Sequence, residues 1–327
     1  MDRTGSQVGR SSAAPGGRGS WKSSLPLINL KRRPAAAPPG SAVYLWNGII
    51  ATGPFVTDID NPYAFAAYNV GATKLYRPFI SALLGRDNCL EVRCMSEICR
   101  QRVGDIFGDS VAAKARLSYP TVPPSVRPRA SRDDSDCRFL FIGTQFEIKG
   151  GAALLSAFRS VRVACPNATL DLVTHLPEGF EGIVRDQPGV TVYPADLTRA
   201  EIAARFIARS DVLVHPTHMD SFGMVVLESI AAGLPVIASD LYAIPEMIED
   251  GRNGFLVAPP VAAWRGSEPE PAYFADTIAL AAAIRQADGT AFEAALTNAM
   301  IELARRPDMR SRMGSESRRI AKGRFGA

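Results

Sequence analysis

The chain has 327 residues, 46% of them hydrophobic and 21% charged, which is enough to build two domains or one large one. Its formal net charge of +4 is too small to argue for nucleic acid as a partner, and many of its arginines gather in the first ~40 and last ~25 residues. No apolar run reaches the ~18 residues needed to cross a bilayer, and the first segment has no signal-peptide core, so the sequence predicts a cytoplasmic protein.

Residues 1–40 are rich in Ser, Gly, Pro, Ala and Arg and predict a disordered basic tail without a strand. Within it, 21–33 mixes apolar residues with a basic cluster suited to peripheral contact with an anionic membrane, although Pro26 interrupts any continuous amphipathic helix. A solvated tail is the plainer reading. Residues 41–122 then read as a partial α/β domain. Strands are expected at 42–46 and 55–58, the second running into Asp58, Asp60 and Asn61. These three are either turn residues before Pro62 or substrate ligands. Helices at 63–69 and 74–84, a strand at 90–95, a helix from Ser96 to Phe107 and a short strand at 116–119 follow. The five cysteines, Cys89, Cys94, Cys99, Cys137 and Cys165, are odd in number and form no C-x-x-C pair, which argues for reduced thiols.

The Pro-rich stretch 123–136 predicts an interdomain linker. Strand and helix signals alternate from Arg138 onward, so 137–327 is expected to be a doubly wound parallel-sheet domain. Leu154, Leu155, Phe158 and Val161 form a helical stripe after Lys149-Gly150-Gly151. Lys149 stands where that helix begins, a poor place for a cation unless an anion is near, so it is a candidate phosphate ligand; a plain surface lysine is the other reading. Thr198 and Glu201 make a capping box, with Ile202 and Phe206 inward.

The most informative stretch is 211–240. It reads as a strand ended by Pro216, a loop, a helix over 225–232 ended by Gly233 and Pro235, and a second buried strand. Ligands of open parallel sheets bind beyond the carboxyl ends of the strands, where the loop 215–222 lies, so Asp220 is expected to face a ligand. Glu228 is an acid among Val225, Val226, Leu227, Ile230 and Ala231, and a charge there needs a partner. From Phe222 to Glu228 the helix rises about 9 Å, so the two acids suit the two ends of an elongated ligand bearing vicinal hydroxyls. Between them, the free amides of Phe222, Gly223, Met224 and Val225 make a helix start that attracts phosphate. His215, His218 and Asp220 also resemble a metal cluster on paper, but Pro216 makes their spacing non-helical. His215 is read instead as strand-end packing, and His218 as an edge of the ligand pocket.

Asp220-Ser221-Phe222-Gly223, with Glu228-Ser229-Ile230-Ala231-Ala232-Gly233-Leu234-Pro235-Val236 after it, resembles the E-G-F-G-x-x-x-x-E-A-x-A-x-G-x-P-V pattern of the retaining glycosyltransferases of the GT-B fold, group 1 (family four). Asp220 replaces the first Glu and is one methylene shorter. Pro245-Glu246 and the segment 250–257 are similar to the family's P-E-x-I and D-G-x-N-G-F-L-V motifs, and Lys149 resembles its diphosphate-binding K-G lysine. Where the family often has an arginine after the strand glycine Gly143, this chain has Thr144.

The resemblance implies transfer of a sugar from a nucleotide-diphosphate sugar to a glycan or lipid-linked acceptor, in bacterial glycan or glycolipid synthesis, with no metal or other cofactor. Asp220 and Lys149 would take the catalytic roles. Gly143, Thr144, Lys149, Asp220, Ser221, Phe222, Gly223, Met224, Val225 and Glu228 would bind the donor, and Asp58, Asp60 and Asn61 would lie on the acceptor side. The family's opening glycine-rich loop and returning helix are not visible, so the reading is of an abbreviated first domain and of donor binding with slow transfer. A non-catalytic nucleotide-sugar binder is the alternative. Three closing helices are expected to turn Phe274 and Ile278, Phe292 and Leu296, and Met313 and Ile320 inward.

Overall fold

The computed structural model of the protein describes residues 28–31, 38, 41–122 and 137–326; the expected linker and most of the expected tail lie outside the described residues. One part of the tail does not behave as its composition suggests. Leu30–Lys31 (β1) pairs in parallel with Ile49–Ile50 (β3), which follows Val43–Trp46 (β2). The Asn29 amide also donates to the Phe65 carbonyl at 2.8 Å. These are backbone bonds, so the segment carries no side-chain signal of a strand.

The first sheet is parallel, in the order β2-β4-β5-β6, where β4 is Phe55–Ile59, β5 Cys89–Cys94 and β6 Ala115–Leu117. Its connections are a short 3-10 turn, Pro62–Ala66, and the helices α1 (Val70–Gly85), α2 (Glu97–Phe107) and α3 (Asp109–Ala112). Alternate residues of the strands, including Phe55, Ile59, Val92 and Cys94, pack with Ile80 and Leu84 of α1, Val103 of α2 and Val111 of α3. The other face carries Tyr44 and Trp46, 60% and 53% exposed, and the Asp58–Arg93 ion pair at 3.5 Å. The expected helix at 63–69 is the 3-10 turn instead. Asn61 caps it, and Ala67 at φ +52° ends it.

The second sheet has six parallel strands in the order β12-β11-β10-β7-β8-β9. In the chain they run β7 (Arg138–Gln145), α4 (Gly151–Ala164), β8 (Thr169–His175), α5 (Glu181–Arg185), β9 (Val190–Tyr193), α6 (Arg199–Arg205), β10 (Val212–His215), α7 (Met224–Ala232), β11 (Val236–Ser239) and β12 (Gly254–Val257). Every residue of β10 and β11 is buried, as continuous apolar runs require of a parallel sheet covered on both faces. The chain winds outward from β7 through β8 and β9, then returns to place β10 on the other side of β7. That reversal makes the β7/β10 carboxyl ends a topological switch point, the usual ligand crevice of such sheets.

A two-stranded hairpin, β13 (Trp264–Arg265) with β14 (Glu268–Pro269), precedes α8 (Thr277–Gln286), α9 (Thr290–Arg305) and α10 (Pro307–Phe325). Phe292 and Leu296 of α9 and Met313 and Ile320 of α10 are buried as expected, but Ile278 is 81% exposed. Asp276 caps α8, and the residue that the helix buries is Leu280. Phe274 is buried ahead of the helix, against Trp264 and, across the molecule, Tyr63. All five cysteines are free thiols. Among the described residues no helix is long and apolar enough to cross a membrane.

Candidate active site

The loops after β7 and β10 lie side by side at the switch point. The His218 amide donates to the Ile148 carbonyl at 2.8 Å, and Gly150 sits at φ +79° against Pro216. A Cβ on Gly150 would fall 1.9 Å from the Pro216 carbonyl oxygen, so only glycine allows this approach. Gly143 likewise leaves room for the stem of Lys149, whose Cγ would stand 2.8 Å from an added Cβ.

This packing delivers Lys149 Nζ to Asp220 Oδ2 at 2.9 Å and to the Met219 carbonyl at 2.8 Å. His215 Nε2 reaches the same Asp220 oxygen at 2.9 Å. Burial alone would raise the Asp220 carboxyl, but the Lys149 ammonium and the His215 ring outweigh it and hold the group far below the usual carboxylate range. Burial dominates at His215 and lowers its value despite Asp220. The ring is therefore neutral near pH 7 and donates its Nε2 proton to the carboxylate. His215 is thus the partner of Asp220 and more than strand-end packing. The anion beside Lys149 that the sequence calls for is, in this state, Asp220 itself.

His218, expected to edge the pocket, is buried. Its Nδ1 meets the Val261 carbonyl at 2.6 Å and its ring packs on Phe292. Among the described residues no group of three or more His, Cys, Asp or Glu side chains is arranged to hold a metal ion.

Helix α7 begins at Met224, and its N-cap, Gly223, has no side chain to cap it, so its first amides are left for another partner. Phe222 is buried and contributes only backbone here; its ring packs on Tyr119 and Phe325. Ser221, Met224 and Val225 are half-buried, and Thr144 is exposed at the end of β7. Glu228, about one turn along α7, has a partner that sequence reasoning missed: Arg199, at 2.9 Å. Burial pushes the Glu228 carboxyl upward and Arg199, itself 67% exposed, pulls it down less strongly. A signal was present, since the capping box at Thr198 puts Arg199 in the first turn of α6, where a cation opposes the helix dipole.

Two of the three acceptor-side candidates reach the site. Asn61 is fully buried and its Nδ2 donates to Ser221 Oγ at 3.3 Å, which joins the end of β4 to the Asp220 loop. Asp60, beside it, accepts from the Tyr68 hydroxyl at 3.2 Å, and its carboxyl is raised, chiefly by burial. Asp58 is not brought to the loop; it stays on the open face of the first sheet with Tyr44 and Arg93.

The family model described as Glycosyl transferases group 1 matches residues 136–286, the stretch that holds Lys149, Asp220 and Glu228. That stretch is similar to a group 1 glycosyltransferase domain. Among curated proteins it is similar to the D-inositol 3-phosphate glycosyltransferase of Segniliparus rotundus, 30% identical over 159 residues, 46% of this chain and 32% of that protein. The chain spans about a third of the length of such curated relatives. Among solved structures, HepE of Anabaena, determined with UDP and glucose, matches 83% of this chain and 68% of its own, with a TM-score of 0.57 at 17% identity. WaaG, a glycosyltransferase of lipopolysaccharide biosynthesis, matches 88% of this chain and 75% of its own, with a TM-score of 0.56 at 16% identity. At these identities the likeness is one of fold, the GT-B fold, and it extends beyond the stretch matched by the family model into the first sheet.

Proposed function

We propose that the protein moves a sugar from a nucleotide-diphosphate sugar to an acceptor hydroxyl with retention of anomeric configuration, in the synthesis of a bacterial glycan or glycolipid. The observation that carries this reading is the convergence, at one switch point, of Lys149, Asp220 and the uncapped start of α7. A diphosphate placed at that start would draw the Lys149 ammonium from Asp220, and the α7 amides would bind its oxygens as charge builds on the leaving group. Asp220, kept ionised by His215, is then free to accept from the donor sugar. Glu228 would exchange Arg199 for the ribose diol, a swap that costs little because Arg199 is largely exposed. The acceptor hydroxyl would pass its proton to the departing phosphate oxygen on the same face, so the chain's own work is positioning and electrostatic stabilisation.

Asp60 is the residue of the first half that would meet an acceptor, and Asn61, itself buried, would hold it in place by bonding to Ser221. The ligands of HepE make UDP-sugars the first donors to try. Binding and turnover of UDP-, GDP- and ADP-sugars, measured together on the full chain with hydrolysis and transfer followed separately, test the reading. Binding of none of them would overturn it, and binding without turnover in the presence of varied acceptors would leave the non-catalytic alternative standing.

A further inference from the structure

Glu246, of the Pro245-Glu246 segment, has no part in the reaction above, yet its carboxylate is held by the other half of the molecule. Its Oε2 accepts from the Glu97 amide at 2.9 Å and from the Tyr119 hydroxyl at 2.7 Å, and its Oε1 accepts from the Ile98 amide at 2.9 Å. Glu97 and Ile98 are the first two residues of α2, and Ser96 Oγ already accepts from the Cys99 amide. Three of the four amides that a helix start leaves open are therefore satisfied, two of them by a residue about 150 positions away in sequence. A carboxylate in that place is favoured by the helix dipole, and its bonds are charge-assisted.

Tyr119 carries the contact onward. Its ring lies 6.3 Å from Phe222 and 4.5 Å from Phe325, centroid to centroid, so fixing its hydroxyl fixes an aromatic wall behind the Asp220 loop. One residue before Phe222, Ser221 meets Asn61. Arg324 of α10 donates to the Glu246 carbonyl and steadies the turn from behind. Glu246 and Tyr119 are both half-buried, so water can replace their bonds when the halves part, which makes the contact reversible.

We infer that Glu246 is a positioning residue: it latches the first half of the chain onto the second in the arrangement that sets Asp60 and Asn61 against the donor loop, acting through Tyr119 on Phe222 and touching no substrate. The consequence for transfer rests on the function proposed above; the latch itself does not.

Glu246→Gln tests it, because the amide keeps one acceptor oxygen and turns a donor toward the α2 amides. Tyr119→Phe is the milder companion, since it removes one bond of the three. Amide hydrogen exchange on the full-length chain without ligand is the primary readout. Exchange at Glu97 and Ile98 is expected to quicken by about tenfold or more in Glu246→Gln and less in Tyr119→Phe, with β10 and β11 unchanged. With a UDP-sugar donor, kcat is expected to fall by about tenfold while donor Kd stays within about twofold, because the donor residues all lie in the second half. Unchanged exchange at Glu97 and Ile98 would overturn the inference, as would faster exchange spread through β10 and β11 with donor affinity and kcat lost together. Faster exchange confined to α2 in a protein whose wild type turns over no donor would support the latch and sink the transferase reading.

Discussion

Removing the Lys149 ammonium should upset Asp220 far more than it disturbs packing. The two side chains are 20% and 18% exposed and 2.9 Å apart, with His215 on the same carboxylate oxygen. Deleting one partner of a fully buried pair costs about 3–5 kcal/mol, and an exposed pair is worth under about 1 kcal/mol. This pair is mostly but not wholly shielded, so Lys149→Met is expected to cost about 2–3 kcal/mol at pH 7. Asp220→Asn leaves the Lys149 ammonium unpaired in turn and should cost a similar amount, and the double variant should cost less than the sum by about 1 kcal/mol or more. The Asp220 carboxyl is depressed in the folded state, so the stability it contributes is present above the unfolded value near pH 4 and is lost as pH falls below that toward the folded value. The gap between wild type and Lys149→Met should therefore narrow below about pH 4. Urea unfolding followed by tryptophan fluorescence from pH 3 to 8 measures it. Additive single effects, or a gap that is flat across that range, would show that the pair is not coupled.

His215 is held below its ordinary value by burial, so the unfolded chain takes up a proton that the folded one refuses; stability should fall as pH drops below about 6.5, and His215→Gln should flatten part of that slope in the same titration. His218, lowered for the same reason, leaves the remainder. Glu228→Gln should weaken nucleotide binding by about tenfold while Arg199→Ala does not, measured by calorimetry, because the first removes an acceptor and the second a competitor. Equal losses would mean that the pair acts as a structural unit. Lys149→Ala should lose affinity for UDP by about 1.5–3 kcal/mol and for uridine by much less; equal losses would remove the lysine from the diphosphate. Any turnover should persist in EDTA, and rescue by manganese after chelation would point to a metal.

The sequence alone settled whatever depends on neighbours a few positions away. The apolar runs of β10 and β11, the capping box at Thr198 and the helix ended by Gly233 and Pro235 appear where they were read, because hydrogen bonding within a turn and burial on both sheet faces leave direct marks on residue type. The group 1 motif was legible for the same reason: its acids, its glycine and its helix start lie in one short stretch. Charge partners were not legible. Lys149 with Asp220, Glu228 with Arg199 and Glu246 with the start of α2 join segments that only the finished fold brings together. An acid on an apolar helix announces that it needs a partner, but many cations in the chain could satisfy it. Leu30–Lys31 escaped notice because a strand held through its backbone need show no apolar pattern. Ile278 was expected inward, but α8 packs with Leu280 buried and Ile278 81% exposed. Periodicity gives the spacing of an inward stripe, and only packing against the rest of the molecule gives its phase.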